Sequence, residues 1–284
     1  MNRVLLSLTI PLLAFMATGC VTLNCPLPAH LKEHIIQEKI SSSSDIPDVK
    51  RNSWNMGDLC ADRLSFYDHG QKWELTLVRN TKHPAGPFWY LPHDNEDSAF
   101  EAAVYAAQKY GGGFLAVEAG GKRYASGTDP NRNFKNGSVY TRNIFAILDT
   151  FKVPSMPYLA LHSNKNGHEK YGGEGTVSMK ISSAHTHSCP AGALGQGGLN
   201  DEDNLVYLAG RKIDSRKIGA LNTQGVNVKY EVVNGKRNDF SMSNYIALHR
   251  NRTGYVNIEA EDGDVRTQKK MIDKVMKLVY QGVL

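Results

Sequence analysis

The sequence lacks several features that would narrow its function at once. It contains no internal repeat, and no apolar run beyond residue 16 is long enough to cross a membrane. Its net charge of +5 is spread along 284 residues, so it does not indicate nucleic-acid binding. Hydrophobic residues make up 41% of the chain, which permits a sizeable core. These properties leave an ordinary globular chain of one large domain or two small ones.

The N-terminus has the order of an export signal. Arg3 precedes an apolar run over residues 4–16, and three small residues then lead to Cys20. This arrangement resembles the lipobox of bacterial lipoproteins, in which the cysteine is acylated; cleavage nearby without lipidation is the alternative. We therefore expect a signal peptide over residues 1–19 and a lipid anchor on Cys20. The protein would then face the periplasm. Lipoproteins retained in the inner membrane favour Asp after the acylated cysteine, and this chain has Val21 there, so we expect the outer membrane.

Cysteine is scarce, with only Cys20, Cys25, Cys60 and Cys189 present. If Cys20 carries lipid, three thiols remain in an oxidising compartment, and any single disulfide leaves one thiol over. We predict that Cys60 pairs with Cys189, because Cys25 falls in a segment expected to be mobile.

The chain divides into three parts. After the signal peptide, residues 20–55 contain four consecutive serines and several prolines, which is typical of a mobile tether. Residues 56–284 are expected to form the folded domain.

Strands and helices alternate within this domain. The predicted strands are Trp73–Val78, Phe88–Leu91, Phe114–Glu118, Tyr158–Leu161 and Tyr255–Glu259. The predicted helices are Ala99–Tyr110, with an alanine stripe and Gly111 at its end, and Val265–Tyr280. This order predicts an α/β fold of three layers, with a mixed, mostly parallel sheet covered by helices on both faces.

Polar groups that could carry chemistry follow or end four stretches of the chain. They are His93 with Glu96, Asn131 with Arg132, His162, and Glu259. Each also has a plain structural explanation: a carboxylate at a helix start, an Asp-Pro-Asn turn, a capped histidine and a surface glutamate. Because strand ends meet at one edge of such a sheet, we expect the four groups to lie together.

In this order the groups resemble the site of the zinc carboxypeptidase superfamily, which includes the aspartoacylase and succinylglutamate desuccinylase branch. The matching residues are His93 and Glu96 (HxxE), Arg123, Asn131 and Arg132, His162 and Glu259. The resemblance covers roughly residues 73–262, and Asp-Pro-Asn-Arg-Asn-Phe is its most specific piece. The interval between Arg123 and Asn131 is short, which resembles the deacylase branch more than the digestive carboxypeptidases.

The resemblance implies a role for each residue. His93, Glu96 and His162 would hold one zinc ion and leave a position open for water. Glu259 would act as general base, and Arg123 would stabilise the oxyanion. Asn131 and Arg132 would bind a substrate carboxylate. These are expectations from the family, not results of the spacing.

Two features depart from the family pattern. The interval between His162 and Glu259 is long, so we expect an insertion there that includes residues 185–201. Glu261 also competes with Glu259 for the base position; strand alternation favours Glu259. His185, His187 and Cys189 form a rival group that could bind metal or supply a nucleophile.

Three functions are therefore open. The first is a zinc-dependent envelope metallopeptidase or amidase that cleaves an amide bond near a free carboxylate, in peptidoglycan-derived peptides. The second is an N-acyl amino acid deacylase. The third is a lipoprotein that binds wall peptides without cleaving them. None of the three involves nucleic acid, and the oligomeric state stays open.

Overall fold

The computed structural model describes residues 22–23, 25–250 and 253–284, so the predicted signal peptide and Cys20 lie outside the described residues. The strands are β1 (Thr22–Leu23), β2 (Ile36–Glu38), β3 (Leu59–Asp68), β4 (Gln71–Asn80), β5 (Phe88–Leu91), β6 (Gly113–Glu118), β7 (Tyr158–Asn164), β8 (Thr186–Cys189), β9 (Leu205–Gly210), β10 (Val228–Val232) and β11 (Tyr255–Glu261). The helices are α1 (Ala29–Lys32), α2 (Pro47–Arg51), α3 (Asp97–Tyr110), α4 (Val139–Phe151), α5 (Ser215–Thr223), α6 (Met242–His249) and α7 (Val265–Tyr280). None of the helices in these described ranges has both the length and the apolar character that a membrane crossing requires.

All the strands form one sheet in the order β1-β3-β4-β6-β5-β7-β11-β9-β10-β8, with β2 paired to β3 at its edge. The four central strands, β6, β5, β7 and β11, are parallel. Antiparallel pairs join this centre to both flanks, through β4 on one side and β9 on the other. The sheet is therefore mixed, as predicted, but five of its ten strand pairs among the described residues are antiparallel, so it is not mostly parallel.

Helices cover both faces of the sheet, which confirms the predicted three-layer α/β fold. One core contains the apolar sides of α3, α5 and α7, and the other contains those of α4 and α6. The central strands are buried on both faces, as expected for parallel strands between two helical layers. Their C-terminal ends consequently meet at one edge, between the covering layers.

Local sequence explains the best-predicted elements. The alanine stripe of α3 packs on the sheet, and Gly111 follows it with φ of 77°, a conformation that glycine adopts readily. The apolar positions of α7 recur at helical spacing and are buried, from Met271 to Val279. Both helices thus begin and end close to their predicted residues.

The described part of the predicted tether packs against the domain. Residues 25–55 pack against the domain, and Leu31, Ile46 and Val49 are buried within its two cores. Short strand β2 also pairs with β3. Apolar residues scattered among serines and prolines gave no periodic pattern, yet they bury enough surface to hold the segment in place.

The predicted Cys60–Cys189 disulfide is wrong. Cys60 bonds instead to Cys25, with Cα atoms 5.5 Å apart, and Cys189 has no disulfide partner among the described residues. Cys60 lies on β3, whereas Cys189 lies on β8 at the far end of the sheet order. The docking of the N-terminal segment brings Cys25 within disulfide reach of β3.

Candidate metal centre and adjoining cavity

The structure brings His93, Glu96 and His162 together at the edge where the central strands end. His93 and Glu96 lie in the loop between β5 and α3, and His162 lies near the end of β7. Since β5 and β7 are parallel neighbours, their carboxyl ends are adjacent. One nitrogen or oxygen atom from each of the three side chains lies within 4.8 Å of the others.

The donor atoms lie close enough to converge on a single zinc ion, and His93 and Glu96 are hydrogen-bonded to each other at a distance somewhat shorter than two ligands of one zinc ion would have. His93 Nδ1 is 2.7 Å from Glu96 Oε1, and His162 Nδ1 is 3.5 Å from Glu96 Oε2. Zinc bonds of about 2.0 to 2.2 Å place ligand atoms about 3 to 3.5 Å apart in a tetrahedral site. Two imidazoles and a carboxylate are also a common ligand set of catalytic zinc. The residues present therefore fit this metal.

Burial and neighbouring charges shift the pKa values of this cluster in opposite directions. Burial by itself would raise the pKa of Glu96, but the charges of His93 and His162 outweigh it and hold the pKa well below its usual range. Burial would also lower the pKa of His93, but Glu96 and Asp129 raise it. Contact with the two histidines thus favours the ionised carboxylate, which is the form in which Glu96 can bind a metal.

Neighbouring groups hold the cluster in place. Asp129 Oδ1 accepts from His93 Nε2 at 3.0 Å and from the Asn131 backbone N–H at 2.8 Å. The Ser163 backbone N–H donates to Glu96 Oε2 at 2.9 Å. A carboxylate on the outer nitrogen of a ligating histidine is a frequent support of zinc sites. The corresponding atom of His162, Nε2, is buried and has no partner among the described residues.

Arg123 reaches the same cluster from the loop after β6. Its Nη1 donates to Glu96 Oε1 at 3.2 Å, and its Nη2 lies 4.0 Å from Asp129 Oδ2. Asp94 shapes this loop, since its Oδ2 accepts from the backbone N–H groups of Ala119 and Gly121 at 2.6 and 2.7 Å. A guanidinium half-exposed at this position can stabilise negative charge that develops on a bound substrate.

Glu259 lies directly beside His162, because the two residues are register partners on parallel strands β11 and β7. Asn257 Nδ2 donates to Glu259 Oε1 at 2.8 Å and so orients the carboxylate. The competing residue Glu261 accepts instead from Asn166 Nδ2 at 2.6 Å. Glu259 lines the adjoining cavity and Glu261 does not.

A cavity of about 280 Å³ opens in front of Glu259. Asn131 and Arg132 line its wall, and Asn131 Oδ1 is buried without a partner among the described residues. Arg132 Nε lies 3.1 Å from Asp239 Oδ2, so this guanidinium is already paired. Glu96 and Arg123 line a neighbouring cavity, and Thr176 borders both. The residues expected to clamp a substrate are thus next to, and not within, the metal cluster.

The interval between His162 and Glu259 is part of the sheet, not only an added lobe. It contributes β8, β9 and β10, and residues between β7 and β8, among them His168 and Thr176, line part of the cavity. His185, His187 and Cys189 lie at the edge strand β8 or beside it, and in the described parts of the chain they do not form a group close enough for one metal.

Sequence reasoning missed several residues of the site. Asp129 stands in the motif that was singled out, but no role was assigned to it. Tyr207, Lys229 and Glu231 line the cavity from strands that were not predicted. The alternation Val-Lys-Tyr-Glu-Val over 228–232 was an available signal for β10.

No protein-family model matches the sequence, and no curated protein matches it either. Solved structures that match in shape include three candidate metallopeptidases, from Shewanella amazonensis SB2B, Shewanella denitrificans OS217 and Shewanella baltica OS155. Their identities are 11%, 11% and 12%, with TM-scores of 0.42, 0.43 and 0.42. The matches cover 87%, 88% and 88% of this chain and 98%, 96% and 98% of those chains. A similarity this low carries no weight for function, which has to be inferred from the site.

Proposed function

We propose that this protein is a zinc-dependent hydrolase that cleaves an amide bond close to a free carboxylate, in the manner of the zinc carboxypeptidase superfamily. The observation that carries the proposal is the buried His93–Glu96–His162 cluster, with Arg123 on one side and Glu259 on the register position beside His162. A purely structural ion-pair cluster would not need an additional base and a cavity next to it.

Zinc held by these three residues would supply a Lewis acid and a bound water of lowered pKa. Glu259 accepts a proton from the attacking water at its carboxylate and returns it to the leaving amine. Arg123 donates to the oxygen on which negative charge develops. Asn131 and Arg132 bind the substrate carboxylate, which competes with Asp239 for the guanidinium.

Peptides with free carboxylates, including those derived from peptidoglycan, suit this arrangement and the expected location of the protein. We propose that the chain is exported, anchored by lipid on Cys20 and placed on the periplasmic side of the outer membrane. The export pattern of the first twenty residues supports this location.

An N-acyl amino acid deacylase is the second candidate. The short interval between Arg123 and Asn131 favours it, because that interval resembles the deacylase branch of the superfamily. Parallel assays with muropeptides and with short acylated amino acids distinguish the two activities.

The decisive experiment combines metal analysis with one variant. We expect one zinc per purified chain, hydrolysis that stops in chelator and returns with zinc, and a Glu259→Gln variant that keeps zinc but loses at least about 10³-fold in kcat/KM. Exposed Glu33 supplies the matched control, since Glu33→Gln should change neither quantity. Full activity in chelator, or in Glu259→Gln, would contradict the proposal.

A further inference from the structure

The cavity in front of Glu259 is floored by one face of three adjacent strands. Register pairing places Lys229 opposite Tyr207 and Tyr207 opposite Asn257, so these side chains share a face with Glu259. Glu231 lies two residues beyond Lys229, opposite Ala209, which in turn is opposite Tyr255. The cavity therefore extends from Glu259 across the sheet to Glu231, and both carboxylates line it.

Lys229 and Arg132 line this cavity, and both already have partners. All three N–H donors of Lys229 have acceptors: the Ser178 carbonyl at 2.8 Å, the Ile181 carbonyl, and Ser188 Oγ at 3.2 Å. Arg132 is paired with Asp239. Lys229 has no donor left over, and under the proposed function Arg132 is taken by the free carboxylate of the substrate, so neither is left for an anionic side chain.

Glu231, in contrast, lacks a partner of opposite charge among the described residues. Asn244 Nδ2 donates to its Oε1 at 2.8 Å, Ser243 Oγ donates to its Oε2 at 3.2 Å, and the Tyr207 hydroxyl is a third uncharged partner, so acceptor capacity remains but no partner carries a positive charge. No Lys, Arg or His nitrogen of the residues described in the structure lies within 4.0 Å of this carboxylate. Burial, opposed by Asn244 and reinforced by the charge of Asp239, raises its pKa, so a cationic partner would relieve an existing cost.

We infer that this cavity selects substrates in which the residue bearing the free carboxylate has a side chain that ends in an ammonium group, bound by Glu231. The inference rests on the proposed function for the position of the scissile bond beside Glu259. The partner is recognised by a partly buried carboxylate that has no cation beside it, which disfavours acidic side chains and gives apolar ones no favourable contact with Glu231.

The first test uses the zinc-loaded wild-type protein and three N-acylated dipeptides that differ only in the last residue: lysine, norleucine and glutamate. We expect kcat/KM for the lysine substrate to exceed that for norleucine by at least about tenfold, with glutamate poorest. Equal rates for lysine and norleucine, or a preference for glutamate, would overturn the inference while leaving the hydrolase proposal in place.

The variant Glu231→Gln keeps the size of the side chain and removes its charge. We expect it to lower the lysine-to-norleucine ratio towards one, whereas Glu33→Gln leaves the ratio unchanged. A ratio unaffected by Glu231→Gln would count against the inference. If none of the dipeptides is cleaved, the hydrolase proposal fails. Calorimetry with free lysine and free norleucine then tests separately whether the cavity binds an ammonium group. Binding of lysine alone supports the inference, and equal binding of both overturns it.

Discussion

Two groups of three side chains lie close together near the loop that follows β5, and each could in principle hold a metal ion. One is the His93–Glu96–His162 cluster, and the other consists of Asp48, Asp94 and Glu118. Both have ligand atoms within 4.8 Å of one another, and both include buried carboxylates. They differ in the charges that surround those carboxylates.

In the all-acid group, burial is the largest influence and raises the pKa of both Asp48 and Glu118 to about 7. Neighbouring carboxylates raise these pKa values further, and Arg51 only partly offsets the effect on Asp48. In the mixed group, two imidazoles reverse the effect of burial on Glu96. Proximity of carboxylates is therefore not enough for a metal site, because the acid group can lower its own cost by taking up protons.

The largest expected difference between the groups is in zinc binding. Glu96→Gln should lose the bound zinc and at least about 10³-fold in kcat/KM, because a ligand is removed. Glu118→Gln should retain one zinc per chain. Metal content after dialysis and hydrolysis rates measure both, and the comparison breaks down if Glu96→Gln retains its metal or Glu118→Gln loses it.

A smaller effect is expected at Asp129, which supports the mixed group without belonging to it. Asp129→Asn should weaken zinc affinity about 10- to 100-fold, because His93 Nε2 then loses a charged acceptor. Competition with a chromogenic chelator measures this affinity. Asp58→Asn is the matched control, since Asp58 pairs only with Lys82 at the surface at 2.7 Å. Equal affinities in the two variants would show that Asp129 serves the turn at 130–132 alone.

The smallest expected effect is on the free energy of unfolding, which should depend on pH through the all-acid group. Since the folded-state pKa of Glu118 is raised from 4.5 to about 7, the folded protein binds more protons than the unfolded chain between these values, and the free energy of unfolding falls as pH rises through this window. Glu118→Gln should therefore be more stable than wild type at pH 8 by about 1 to 2 kcal/mol, after allowance for partial exposure, and similar at pH 4.

Urea unfolding in the presence of chelator, repeated from pH 4 to pH 8, measures this slope without a contribution from metal. Glu33→Gln should follow the wild-type curve, because its carboxylate is exposed. A Glu118→Gln curve parallel to wild type would mean that burial of this group does not govern its titration.

The bounds of an element could be predicted where its own residues repeat with the period of a helix or a strand. The strand Phe88–Leu91 and the helix Val265–Tyr280 have the predicted bounds, because burial on a sheet or on one helical face leaves a period in the sequence. Helix α4 and strands β3, β9 and β10 were missed, although α4 and β9 contribute large parts of the two cores. Their apolar residues are placed by neighbours that lie far away along the chain.

The sequence by itself determined the α/β alternation and the residue types that could meet at the ends of strands, because side-chain chemistry and periodicity are written locally. Only the tertiary structure decided that Cys25 rather than Cys189 bonds to Cys60, that Asp129 supports His93, and that Glu231 shares a cavity with Glu259. Each of these contacts joins segments distant in the chain, and their separation depends on strand order and register, which no local pattern contains.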